Sequence, residues 1–167
     1  VRHDELFETN CAISRTAGIL GERWMISILR AAFFRCRTFE EYQRATGVAR
    51  NILTDRLNRL VDVGVLERRA YEEHARRTLH EYRLTEAGMD LYPAIAMLMA
   101  WGNKHAGFVH GPPVELVHDG CGRVTEPVVT CSCCGEPLDP REVTPRPGPG
   151  ATKLAPPLGT VGADAAG

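Results

Sequence analysis

Two sets of side chains in this 167-residue sequence have the types and spacing to do chemistry. The first lies in HDGCGRVTEPVVTCSCCGEPL, where His118 and Cys121 are separated by two residues, as are Cys131 and Cys134, and each pair is followed directly by glycine. Tetrahedral zinc takes four nitrogen or sulfur donors, and a two-residue spacer lets one tight turn offer both donors of a pair. The glycine accommodates the left-handed backbone just after the turn. His118, Cys121, Cys131 and Cys134 are therefore the expected metal ligands, with Val124 and Val128 to Thr130 supplying short strands between them and Cys133 a spare thiol. Four protein donors leave no open coordination position, so this zinc would be structural rather than catalytic. The alternative is a cysteine-rich segment that holds no metal.

The second set lies in GVARNILTDRLNRLVDVGVLERR, from Gly47 to Arg69. Ile52, Leu53, Leu57, Leu60 and Val61 recur as one face of a 3.6-residue period. With that stripe buried, Arg50, Asn51, Thr54, Asp55, Asn58 and Arg59 face outward. Arginine pairs with guanine and asparagine with adenine through two hydrogen bonds each. Arg50, Asn51 and Thr54, nearest the helix start, are the expected base readers, and Arg56 and Arg59 are expected on phosphates. The competing reading is a polar face that is only solvated.

The elements that must position this helix are legible around it. Trp24, Met25, Ile28, Leu29 and Ala32 mark a core helix after Gly21. Thr38 with Glu41 makes the capping-box pattern for a short helix that ends at Gly47. Two helices joined by a short glycine-containing turn form a helix-turn-helix, whose second member enters the DNA major groove. Val65 to Tyr71 and Leu79 to Thr85 alternate as strands around the charged stretch EEHARRT, which predicts a hairpin with Arg68 and Arg69 at its base and Arg76 and Arg77 at its tip. Arg68, Arg76 and Arg77 join the expected DNA contacts. Thr85 can cap a further helix from Glu86, with Pro93 expected to kink it. Ile95, Met97, Leu98, Met99 and Trp101 crowd nearly every side of that helix, which predicts a homodimer; packing beneath the cysteine-bearing segment is the alternative.

The expected fold is thus mainly α with a small β-hairpin wing. It comprises a winged helix-turn-helix over 1–109, a zinc-ribbon-like β segment over 110–143 and a disordered Pro/Gly-rich tail over 144–167, where five prolines and five glycines leave little to bury. The net charge of −1 hides an asymmetry: Arg15 to Arg83 holds 14 arginines against 9 acidic residues, a balance of +5, while the remainder is at −6. Any anion-binding surface belongs to that central stretch. Arginine outnumbers lysine 18 to 2, which suits phosphates and base edges but also fits a GC-rich coding bias.

No apolar run approaches the roughly 18 residues of a membrane span, and Val1 to Asn10 is polar and acidic, so a cytoplasmic protein with no membrane partner is expected. A disulfide framework is not expected there. No phosphate-binding glycine loop, Gly-x-Ser-x-Gly or His-Glu-x-x-His motif occurs, and His3, His74, His80, His105 and His110 are scattered, so no enzyme is expected. Cys36, between Arg35 and Arg37, has an electropositive neighbourhood expected to favour the thiolate.

CAISRTAGILGERWMISILRAAF, RTFEEYQRATGVARNILTDRLNRLVDVGVLERR and EYRLTEAGMDLYPAIAMLMAWG resemble the HxlR family of bacterial winged-helix transcriptional regulators from Cys11 to Gly102. The motifs are a cysteine before the first helix, Gly21-x-x-Trp24, Ile-Leu-Thr-x-Arg-Leu from Ile52, and Glu-Tyr-x-Leu-Thr from Glu81. The resemblance implies a homodimer, formed by the first and last helices of this zone, that binds a promoter operator in double-stranded DNA and needs no cofactor to do so. It also marks Cys11 as a candidate oxidation sensor. Two features depart from the pattern: Ala49 stands where a serine cap is usual, and the wing lacks the usual proline near Ala75. Other readings are a winged helix that binds protein rather than DNA, and a regulator whose DNA binding is switched by zinc or thiol oxidation.

Overall fold

The computed structural model describes residues 10–72 and 78–151. The described residues divide into two compact units, parting between Val114 and Glu115. The side-chain amide of Asn103 donates to the Val114 carbonyl at 3.0 Å, which ties the end of the first unit back to its last helix.

In the first unit, α1 (Ala12–Leu20), α2 (Met25–Phe33), α3 (Phe39–Thr46) and α4 (Arg50–Asp62) lead into a hairpin of β1 (Leu66–Glu72) and β2 (Thr78–Leu84). A single helical turn, α5 (Glu86–Met89), and the long α6 (Tyr92–His105) complete it. The order is a winged helix-turn-helix. Its core gathers Met25, Ile28, Leu29, Tyr42, Val48, Leu53, Leu57, Leu60, Leu66 and Ile95, drawn from every one of these helices except α1 and α5. No polar or charged residue is buried among the described residues.

Local chemistry sets the boundaries. The Thr38 hydroxyl accepts from the Glu41 amide at 3.3 Å while the Glu41 carboxylate accepts from the Thr38 amide at 2.9 Å, a complete capping box at the start of α3. Those amides hold the Glu41 carboxyl below the ordinary carboxylate range. Gly47 at φ +66° ends α3, and Gly64 at φ +72° follows α4. The Thr85 hydroxyl accepts from the Gly88 amide at 3.1 Å to start α5 and donates to the Gly64 carbonyl at 2.6 Å, so one side chain joins two turns.

β1 and β2 pair antiparallel with Leu66 opposite Leu84 and Arg68 opposite Tyr82. The sheet gains a short third edge: Thr38 bridges Glu81, and the Tyr82 amide donates to the Arg37 carbonyl at 2.7 Å. At the base of the hairpin Leu66 and Tyr82 are buried. The expected tip arginines, Arg76 and Arg77, lie outside the described residues.

Two expectations need correction. Pro93 does not kink a long helix; it sits in the first turn of α6, where its missing amide hydrogen costs no bond. Ile52 is not on the buried ridge: Leu53, Leu57 and Leu60 are fully buried while Ile52 is 36% exposed. The ridge that packs toward α3 and β1 is narrower than the stripe that periodicity marks out.

The second unit holds a small antiparallel hairpin, β3 (Leu116–His118) and β4 (Arg123–Thr125), and an isolated bridge between Thr130 and Pro137. From Thr144 to Ala151 there is no helix or strand, and the rest of the Pro/Gly-rich tail lies outside the described residues.

A methyl group at Gly88 would come within 2.2 Å of the Val65 carbonyl oxygen, a backbone atom with no room to yield. Gly88→Ala is expected to destabilise the chain by about 1–3 kcal/mol, read from the urea midpoint at unchanged slope. An unchanged midpoint would show that the α4–β1 turn is looser than drawn.

Candidate nucleic-acid interface

Helix α4 presents one polar flank. Arg50, Asn51, Thr54, Asp55 and Asn58 are all exposed, with Ile52 beside them. Burial of Leu53, Leu57 and Leu60 on the opposite side sets this phase. Ala49, at the N-cap, makes no side-chain cap bond, so the first-turn amides are left for other acceptors.

Arg50 is held rather than loose. Its guanidinium lies 4.6 Å over the Phe39 ring and donates to Gln43 Oε1 at 3.1 Å. Both partners belong to α3, so the two helices of the motif together aim this side chain. A cation over a ring at an exposed site contributes about 0.5–1 kcal/mol, enough to bias the rotamer without fixing it. The Thr54 hydroxyl donates to the Arg50 carbonyl at 2.9 Å, which leaves its oxygen able to accept.

Arg56 and Arg59 are placed differently from the expectation of free phosphate contacts. Glu22, in the turn between α1 and α2, forms ion pairs with Arg56 Nη1 at 2.8 Å and with Arg59 Nε at 2.9 Å. Arg56 Nε also donates to the Arg23 carbonyl at 3.3 Å, and Arg59 Nη2 to the Gly18 carbonyl at 3.5 Å. Arg56 makes a further ion pair with Asp55. Both side chains are only partly exposed, and they act as a clasp between the recognition helix and the α1–α2 turn. Sequence reasoning missed Glu22, Phe39 and Gln43. None stands at a spacing that local periodicity could flag, since each meets its partner across a turn or between distant elements.

At the wing, Arg68 is exposed, and Arg69 is ion-paired with Glu67 on its own strand. Arg83 is likewise paired with Glu81, at 2.6 Å. Among the described residues, Arg68 is thus the exposed wing arginine with no ion pair to a neighbouring acid.

The cysteines of this unit differ in kind. Cys11, at the N-cap of α1, is exposed, and hydrogen bonds from the Ser14 side chain and amide pull its thiol below the usual range. Cys36 goes the other way. Burial is the larger cause and Glu41 adds to it, together outweighing Arg44 and Arg30, so its thiol is raised. The expectation that Arg35 and Arg37 favour a Cys36 thiolate is therefore overturned: burial and the Glu41 carboxylate outweigh the nearby positive charge. Cys36 lines a hollow of about 340 Å³ with Phe33, Arg35, Arg37, Tyr42 and Tyr82.

In the second unit, His118 Nδ1 stands 3.5 Å from Cys121 Sγ, and Cys134 is hydrogen-bonded to Cys131. The four expected ligands therefore come as two separate pairs; among the described residues no three His, Cys, Asp or Glu side chains gather into one metal-holding group. All six cysteines are free thiols. No described helix is long and apolar enough to cross a membrane.

Comparison with known proteins agrees with this architecture. The model of the family described as HxlR-like helix-turn-helix matches residues 19–108. An uncharacterized HTH-type transcriptional regulator of Mycobacterium tuberculosis, Rv3095, is 46% identical over 145 residues, covering 86% of this chain and 90% of that protein. Among solved structures, the candidate transcription factor PA1607 superposes with a TM-score of 0.73 at 30% identity, over 81% of this chain and 93% of its own. The redox regulator HypR in its oxidized form matches with a TM-score of 0.53 at 25% identity, over 59% of this chain and all of that one.

The opposite shifts of the two thiols have a direct readout. As pH rises, Cys11 is expected to ionise first and to react with iodoacetamide well below the pH at which Cys36 does so. Mass spectrometry of labelled peptides between pH 6 and 10 checks this; equal pH profiles would contradict the Ser14 contacts.

Proposed function

This chain belongs to the HxlR-like helix-turn-helix family and is a DNA-binding transcriptional regulator, and from that premise we propose that it reads a roughly palindromic operator as a homodimer. The observation that carries this reading is the uncovered flank of α4, with Arg50 steadied by Phe39 and Gln43. Arg50 and Asn51 read base edges, Thr54 and Asn58 add hydrogen bonds, and Asp55 disfavours phosphate crowding beside them. Ile52, displaced from the core ridge onto this side, offers an apolar contact of the kind a thymine methyl accepts. Arg68 and the wing position the helix on phosphates. Arg56 and Arg59 serve chiefly as the clasp on Glu22, and they position rather than read.

The homodimer is supported by apolar surface that one chain leaves open. On α6, Leu98 is 48% and Trp101 65% exposed, and on α1, Ile13 is 79% exposed. Soluble monomers rarely leave such helix faces bare. A two-fold pair of recognition helices addresses half-sites about one DNA turn apart, near 34–36 Å. Trp101→Glu is expected to convert the dimer to monomer in sedimentation and to weaken operator binding with it.

A second reading adds a thiol switch, because Cys11 is exposed with a thiol that ionises readily. HypR, which shares the fold, is a redox regulator. Under it, a peroxide oxidises the Cys11 thiolate, and a disulfide to the same residue of a second copy changes operator affinity. An affinity equal before and after oxidant, in wild type and in Cys11→Ser alike, would remove this reading while leaving the first intact.

The operator test uses fragments selected from the host genome. Arg50→Ala and Asn51→Ala are each expected to cost about 1–3 kcal/mol on the selected site and little on random duplex. Arg68→Ala should weaken both alike and lower the salt dependence by about one phosphate contact. Equal losses on selected and random DNA for Arg50→Ala would remove base reading from this flank.

A further inference from the structure

The second unit has almost nothing to hold it by burial. From Glu115 to Ala151 no residue is buried, and Val117, Val124, Val128, Val129 and Leu138 are all at least 41% exposed. A segment this short rarely closes a hydrophobic core of its own, and below about 40 residues a chain usually needs a disulfide, a metal or a partner. Its cysteines are not cross-linked.

The backbone is nevertheless built into the same turn twice. In the first, at the end of β3, the Gly122 amide donates to the His118 carbonyl at 2.8 Å. In the second, the Gly135 amide donates to the Cys131 carbonyl, also at 2.8 Å. Gly122 stands at φ +66° and Gly135 at φ +77°, the left-handed region that a side chain resists. Each turn is the tip of a hairpin: β3 pairs β4 around the first, while Leu138 returns to Val129 at 2.9 Å and Cys131 to Glu136 at 2.8 Å around the second.

Each turn also brings its two donors to one side. The 3.5 Å between His118 Nδ1 and Cys121 Sγ is close to the edge of a zinc tetrahedron, about 3.6 Å for bonds of about 2.1 and 2.3 Å. The His118 ring lies over Gly120, where an added methyl would come within 2.9 Å of its Cε1, so the small residue seats the ring. At the second turn, the Cys133 and Cys134 amides donate hydrogen bonds to the Cys131 sulfur, as amides beside a metal-bound thiolate do. Two turns of equal length, equal closure and equal donor spacing are hard to reconcile with a segment that merely solvates itself.

We propose that the second unit is a zinc knuckle pair, in which one Zn²⁺ joins the His118–Cys121 turn to the Cys131–Cys134 turn and replaces the missing core. Binding draws the second hairpin onto the first, since the two donor pairs do not form one group without it. Zn²⁺ displaces one proton to solvent from each of Cys121, Cys131 and Cys134 and takes a lone pair from neutral His118. The site then carries a charge of −1 and has no open position, so its role is structural. Cys133, exposed in the spacer of the second turn, stays outside the shell.

The test uses the full chain, produced with zinc in the medium and purified without chelator, and it reads metal rather than DNA binding. About one zinc per chain is expected by elemental analysis, falling to near zero in Cys121→Ser and in Cys134→Ser but kept in Cys133→Ser. Replacement by Co²⁺ should produce the intense visible bands of a tetrahedral thiolate site, and zinc should shield three thiols from alkylation until chelator is added. Wild-type protein without zinc and without those cobalt bands overturns the proposal, as does zinc retained in both variants. A Cys131–Cys134 disulfide in the freshly purified chain would overturn it equally.

Discussion

Leu53, Leu57 and Leu60 set the depth and rotation of α4, and the chemistry of its flank follows from that seating. Each leucine taken fully from water contributes about 1.5–3 kcal/mol before entropy is charged against it, so together they outweigh any single polar contact on the helix. Turning α4 by one residue, about 100°, would lift the ridge out and press Thr54 or Asn58 in among apolar and tyrosine side chains. The apolar ridge resists rotation, but it is indifferent to small slides along the axis. The Glu22 carboxylate is not, because it must meet Arg56 and Arg59 at once. A single acid on the α1–α2 turn therefore restrains the helix lengthwise, and it withdraws two guanidiniums from the charge available to DNA.

The same economy recurs where elements meet. Thr38 caps α3 and also forms the bridge that adds a third edge to the wing. Thr85 caps α5 and clamps the turn after α4, while Gly88 lets that turn approach within contact distance. The wing is thereby tied to both helices of the reading motif through short polar residues as well as through the packing of Leu66 and Tyr82. Leu66 and Tyr82 anchor the base of the wing by packing, and the strands pair antiparallel outward from there.

The two units illustrate two ways of ordering a chain. The first excludes water from a cluster drawn from four helices and a hairpin. The second has no such cluster, and its order resides in turns closed by left-handed glycines and in paired sulfur and nitrogen donors. A mutation of one methylene matters in the first and hardly in the second, where the identity of a donor atom matters instead.

How much of this was written locally can be judged residue by residue. The capping box at Thr38 and Glu41, the breaks at Gly47 and Gly64, the leucine period of α4 and the alternation of both wing strands each involve residues a few positions apart, and all stand where local rules put them. So does the exposed flank of Arg50, Asn51 and Thr54, because burying one face of a helix dictates the other. Ile52 and Pro93 were misplaced by those rules: a stripe's width depends on what packs against it, and one proline either kinks a helix or starts one according to whether the preceding turn has already ended. The pairing of Glu22 with Arg56 and Arg59, the seat of Arg50 on Phe39 and the burial that raises the Cys36 thiol belong to tertiary structure alone. Each depends on distances between elements, which the packing of the core decides and which no spacing along the chain records.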